Sequence, residues 1–196
     1  MIERSEAEEH LRVIRSLMEK ATIYRAISAE AALFAGASAV VAAFLFEELS
    51  HSTFGFVSKW AAVLAACLLA NGWFLSRDAK RRGEVFVSSG MRLALRTMFP
   101  PLLCGGVFTL AWMGGSDVTV FWLLFYGLAL LSTAAFAPRS IAILGWAFVF
   151  SGLGTLLVCI AYGQLGPSLF ADRLMGVTFG LFHLIYAACT WPRRAR

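Results

Sequence analysis

Six long apolar runs constrain this chain more than any other feature. They cover 26–46, 60–76, 100–114, 118–137, 141–162 and 174–191, with short polar or basic segments between them. Crossing the hydrocarbon core of a bilayer takes about 20 apolar residues in a helix. Lipid offers no hydrogen bonds, so a spanning segment must satisfy its backbone internally, and a helix does so within one segment. Composition agrees: 59% of the 196 residues are hydrophobic and 15% are charged, against about 45–50% and about 25% in soluble domains. The expected fold is therefore all-α: a polytopic membrane protein with a six-transmembrane-helix bundle. The third run is the weakest, because Pro100 and Pro101 stand at its start. Its helix begins either there, where proline is tolerated, or near Arg92 with a kink at the prolines.

Charge placement gives the topology. Basic residues in membrane proteins concentrate on the cytoplasmic side. Arg4, Arg12, Arg15, Lys20 and Arg25 precede the first run; Arg77, Lys80, Arg81, Arg82, Arg92 and Arg96 follow the second. Arg139 follows the fourth, and Arg193, Arg194 and Arg196 end the chain. Only Lys59 and Arg173, of 17 basic residues, fall on the opposite side. Both ends are thus expected in the cytoplasm, and an odd number of crossings would scramble the alternation. The net charge of +5 reads as topology, with anionic lipid attracted to Arg77, Lys80, Arg81 and Arg82, and nucleic acid is not an expected partner. The first 25 residues are charged and lack the apolar core of a cleavable signal. Arg-rich ends without an import signal fit a bacterial cytoplasmic (inner) membrane.

Residues 1–25 form the first of three expected segments, followed by the transmembrane domain (26–191) and a basic tail (192–196). Ser5-Glu6-Ala7-Glu8 matches a capping box. Leu11, Ile14, Leu17 and Met18 recur at helical spacing, and no Gly or Pro intervenes before Gly36. One long amphipathic helix is expected to continue into the first span, about 60 Å from residue 6 to 46. Its apolar stripe either lies in the headgroups or packs on a partner.

Ionisable groups inside a span are costly and mark candidate sites. Two are expected, Glu30 and His183. Glu30 lies about 8 Å beyond Arg25 along a helix. Asn71, Ser132 and Thr133 fall at similar depth and would complete a polar layer with it. That layer could hold a cation, a proton or a polar headgroup, or it could simply tie helices together. His183 is expected to share a face with Gly176, Gly180, Ala187 and Thr190. Gly176 and Gly180 form a GxxxG pattern, which lets a second backbone approach closely. Ala31, Ala35, Ala39 and Ala43 in the first run, and Gly145 and Gly152 in the fifth, also read as packing faces. Trp60, Trp73, Trp112, Trp122, Trp146 and Trp191 lie mostly near run ends, as an interfacial aromatic belt would.

No metal site and no cofactor is expected. His10 and His51 lie outside the spans, and one imidazole, His183, is the sole candidate ligand for haem or a pigment. Cys67, Cys104, Cys159 and Cys189 are scattered singly, so no disulfide framework is expected. HExxH, the P-loop, the Gly-rich dinucleotide fingerprint and the GxSxG elbow are all missing from the sequence. The chain therefore reads as non-enzymatic: an accessory or regulatory subunit packing against partner membrane proteins or its own copies. The alternative is a small transporter or channel for a cation, proton or lipid-like solute.

Overall fold

A computed structural model describes residues 8–14, 29–83, 87, 89–111, 118–162 and 169–191. Helix α1 covers 8–14 and is exposed throughout. Helix α2 is Ala29–Leu45, and a 3-10 turn, Glu47–His51, leads into α3, Thr53–Arg82. Then come α4 (Ser89–Ala111), α5 (Val118–Leu131) and α6 (Arg139–Tyr162). The last rod is built of α7 (Leu169–Met175), a π turn (Gly176–Leu181) and α8 (Phe182–Thr190). No strand occurs among the described residues.

Four helices are long and apolar enough to cross a membrane: α3, α4, α6 and the last rod. Two more, α2 and α5, are apolar but have 17 and 14 residues. Six apolar helices are thus present, and four of them reach spanning length. The expected continuous N-terminal helix falls largely on residues 15–28, outside the described residues, as do Leu17, Met18 and the 192–196 tail.

Local signals explain the ends that differ from expectation. Ser52 caps α3 by accepting from the Gly55 N–H at 3.0 Å, so the helix starts seven residues before Trp60 and takes Lys59 inside. At the other end Gly83 adopts φ 66 and donates to Ala79 and Lys80 carbonyls, a left-handed cap that suits glycine. Helix α4 is continuous from Ser89 to Ala111 with Pro100 and Pro101 inside it, so the third run is a longer helix than its apolar stretch. Helix α5 is shorter than its run: it ends at Leu131, and hydrogen-bonded turns carry the chain to Ala137. Ser132 and Thr133 donate their hydroxyls to the Ala129 and Leu130 carbonyls at 2.7 Å, and Pro138 disfavours helix in the residue before it.

The neighbour relations form a series. Helix α3 packs on α2, α2 on the last rod, α8 on α6, α6 on α5, and α5 on α4. Phe56 of α3 stacks on Trp122 of α5 at 5.8 Å and closes the series at one end. Two buried clusters fill it: Ala32, Leu123, Leu130, Ile141, Leu144, Phe148, Tyr186 and Ala187; and Ala39, Ala42, Ala43, Phe56, Trp60, Ala171 and Met175.

Small residues set the spacing. A Cβ placed on Gly36 would lie 2.9 Å from the Gly180 carbonyl oxygen, and one on Gly176 would lie 2.6 Å from the Ala43 Cβ. The Gly176/Gly180 seam thus packs within the chain, on α2. Ala43 meets it at Gly176; Ala39 and Ala43 are buried, whereas Ala35 is half-buried. Gly127 of α5 meets Gly145 of α6 in the same manner, with 2.8 Å from a Cβ on Gly127 to the Gly145 carbonyl oxygen. Close backbone approach increases van der Waals contact, which helices in lipid depend on because lipid tails give no hydrophobic drive.

Candidate functional site

The most concentrated polar chemistry lies where α3 and α7 begin. Lys59 sits in the second turn of α3 and Asp172 in the first turn of α7, and both side chains are buried, Asp172 completely. Lys59 Nζ donates to Asp172 Oδ1 at 2.7 Å. Trp60 Nε1 donates to the same oxygen at 2.9 Å. Lys59 Nζ also donates to Ser50 Oγ at 2.6 Å and, more weakly, to the Phe46 carbonyl at 3.4 Å. The ammonium further lies 5.5 Å from the Trp60 ring centroid and 5.9 Å from that of Phe56, within cation–π range. The 3-10 turn and the residue before it therefore supply two acceptors, α3 the cation and both rings, and α7 the anion.

Removing two charges from water costs several kcal/mol per ion, and their attraction offsets this only with good geometry and satisfied neighbours. Lys59 meets that condition with three oxygen acceptors and two ring faces. Asp172 meets it at Oδ1 alone; Oδ2 is buried and accepts no hydrogen bond from the described residues. The centre is thus a well-held ammonium beside a carboxylate with one oxygen unsatisfied.

A second polar contact lies further along the last rod, where its helix widens. His183 and Tyr126 of α5 meet at 2.9 Å through Nε2 and the phenol oxygen, and His183 Nδ1 lies 2.8 Å from the Phe179 carbonyl. A carbonyl only accepts, so Nδ1 carries a proton, and the neutral ring receives the Tyr126 hydroxyl at Nε2. Phe148, Phe179 and Tyr126 pack their rings around the imidazole at 5.7–6.3 Å between centroids. The π turn explains the geometry. Phe182 N–H reaches back five residues to the Val177 carbonyl, and this wider turn shifts the helical register. Gly176 and Gly180 face α2, while His183 faces α5 and α6. They do not share the single face that uninterrupted α-helical spacing predicts.

The expected polar layer is not assembled. Glu30 is exposed in the first turn of α2. Ser132 and Thr133 bond their own helix carbonyls. Asn71 is half-buried, and its Oδ1 accepts no hydrogen bond from the described residues. His183 bonds Tyr126 and Phe179, two residues outside that layer. With both ring nitrogens engaged, ligation of haem or a pigment by His183 would require one of these contacts to be given up. Among the described residues no three His, Cys, Asp or Glu side chains cluster in a way that could hold a metal ion.

The tryptophans divide. Trp73, Trp146 and Trp191 are exposed, as a belt requires. Trp60 is buried on Asp172, and Trp122 donates through Nε1 to Thr109 Oγ1 at 2.7 Å. Ala187 is buried, and Leu11 and Ile14 are exposed. Arg77, Lys80 and Arg81 are exposed near the end of α3; the Arg82 side chain lies outside the described residues.

Lys59, Asp172, Trp60, Ser50 and Tyr126 are the site residues that the apolar-run reading passes over. A usable signal existed for Lys59: Ser52-Thr53 is a helix start, which places residue 59 inside the helix. No protein-family model, curated protein or solved structure matches the chain.

Proposed function

We propose that this chain is a six-span, non-enzymatic protein of the inner membrane, with both ends cytoplasmic, serving as an accessory or regulatory subunit. One observation carries the reading: most polar groups within the bundle are joined locally instead of lining a route through it, and the buried side-chain atoms left without a partner among the described residues, Asn71 Oδ1, Thr119 Oγ1 and Asp172 Oδ2, belong to three different helices. Lys59 is paired with Asp172, Tyr126 with His183, and Trp122 with Thr109. Buried or half-buried hydroxyls at Thr109, Ser132, Thr133, Ser151, Thr155, Thr178 and Thr190 donate to carbonyls of their own helices. The glycine contacts at Gly36–Gly180 and Gly127–Gly145 bring backbones together where a route would need room. A bundle built this way suits a protein that acts through its outer surface.

The partner is another membrane protein or a second copy. Extraction into native-lipid particles followed by mass measurement tests this. A second protein, or a multiple of the chain's own mass, is the expected result. A lone monomer in repeated preparations would overturn the reading.

One feature favours a second reading. Asp172 Oδ2 is buried without a hydrogen-bond donor among the described residues, and an intramembrane carboxylate is a site for cation or proton chemistry by default. A small transporter or channel would then use Asp172 in place of Glu30, since Glu30 lies exposed on α2. In reconstituted vesicles Asp172→Asn would abolish flux, and Glu30→Gln would leave it intact. Undiminished flux in Asp172→Asn removes that carboxylate from any mechanism.

A further inference from the structure

Helix α3 is longer than a bilayer core. Its 30 residues span about 45 Å, against a hydrocarbon thickness of about 30 Å. One end is tied to the start of the last rod by the Lys59–Asp172 pair. About 30 Å along the helix axis from Thr53 lies Trp73, so the last turns emerge at the opposite surface.

The emerging part is ordered on one face. Ala62, Ala66, Leu69, Trp73, Arg77, Lys80 and Arg81 follow one another mostly at spacings of three and four, which places them on a single stripe. All seven are exposed. Leu69 is 76% exposed and Trp73 58%, so α3 turns this stripe away from the bundle. From the membrane centre outward it reads apolar, then aromatic, then cationic. The Arg77 guanidinium lies 5.6 Å from the Trp73 ring centroid, and this stacking directs the charge to the level just beyond the indole. Among the described residues Arg77, Lys80 and Arg81 have no ion-pair partner.

We propose that this stripe binds an anionic phospholipid. One acyl chain lies along Ala62, Ala66 and Leu69. The ester region meets the Trp73 ring, whose amphipathic character suits that level. Arg77 holds the phosphate, and Lys80 and Arg81, a turn further on, receive the remaining negative charge of the headgroup. Charge selects the occupant: three cations on one stripe complement an anionic headgroup and gain less from a net-neutral one, whose phosphate is offset by its own cation. The length of the apolar section ahead of them selects a lipid over a soluble anion. The proposal rests on the membrane-spanning reading of α3 and does not depend on the subunit role.

Native mass spectrometry of the full chain tests it, after reconstitution in mixed phosphatidylglycerol and phosphatidylcholine. Wild type retains phosphatidylglycerol over phosphatidylcholine. Arg77→Gln/Lys80→Gln/Arg81→Gln lowers that preference by on the order of a hundredfold, since each of the three cations near the surface contributes about fivefold. Because these cations also bear on insertion, wild type is measured in parallel between low and high salt. The preference falls with salt if the contact is ionic. Trp73→Ala weakens retention of phosphatidylglycerol without changing the charge. Equal retention of the two lipids by wild type, or an unchanged preference in the triple variant, overturns the proposal. So does displacement of the lipid by a poly-glutamate peptide at equal charge concentration, which would assign the stripe to an acidic protein.

Discussion

The last rod is tied to the bundle twice, by unlike means. Near its start Asp172 meets the ammonium of Lys59; further along the rod, His183 meets the neutral hydroxyl of Tyr126. The charged contact sits at the end of its helices, beside a turn whose Ser50 Oγ and Phe46 carbonyl help to hold the cation. The neutral contact sits mid-bundle among aromatic rings, and both imidazole nitrogens are occupied. The difference follows from solvation. An ion pair is tolerated where extra oxygen ligands are at hand, whereas the middle of the bundle takes a polar pair neither of whose members is an ion. The centre at the end is the less complete of the two, because Asp172 Oδ2 is unsatisfied. That contrast makes it the better candidate for chemistry and His183 the better candidate for a structural tie.

The largest effect that can break this comparison comes from stranding one charge. Lys59→Met or Asp172→Leu alone leaves a buried unpaired ion and is expected to cost about 3–5 kcal/mol. Unfolding in detergent or lipid particles measures it, and the double variant should recover most of the loss. Equal loss in single and double variants would mean that the charges do not act as a pair.

A smaller effect tests the seam between the two ties. Gly180→Val forces side-chain atoms toward Val40 and the Gly36 carbonyl and should cost about 1–3 kcal/mol. Gly154→Val, where an added Cβ meets nothing within 4 Å, serves as the control and should leave stability nearly unchanged. The smallest effect belongs to the neutral tie. Tyr126→Phe keeps the ring and removes one hydrogen bond, worth about 0.6 kcal/mol on average between membrane helices. A loss matching that of Asp172→Leu would erase the distinction between the two contacts.

Much of the helix order was legible in the apolar runs, because hydrophobic length is what lipid selects. The ends were not. Starting the second run at Trp60 set Lys59 in a loop, although Ser52 caps a helix that already contains it. Starting the last run at Leu174 hid Asp172 in the same way, although that helix begins by Leu169. Both charges look peripheral in sequence because each lies on the flank of a run, and only the packing of α3 against the start of the last rod buries them together. Gly176 and Gly180 were readable as a close-packing pair, but their partner on α2 was not. His183 was readable as a buried polar group, and its neighbour Tyr126 was not, because a π turn leaves no spacing signal to betray the shifted register. Glu30 lies exposed on α2, which was not readable for a simpler reason: depth along a helix says nothing of which face points inward.

Side-specific thiol labelling addresses the number and sense of the crossings, on which the depth of every residue named here depends. With Cys67, Cys104, Cys159 and Cys189 replaced, single cysteines at Glu48, Asp117 and Gln164 should react with an impermeant reagent from outside intact cells. Cysteines at Asp78, Arg139 and Arg194 should react only after permeabilisation. Labelling of Glu48 and Asp78 from the same side would contradict a membrane crossing by α3, and with it the placement of Lys59 and Arg77 at opposite surfaces.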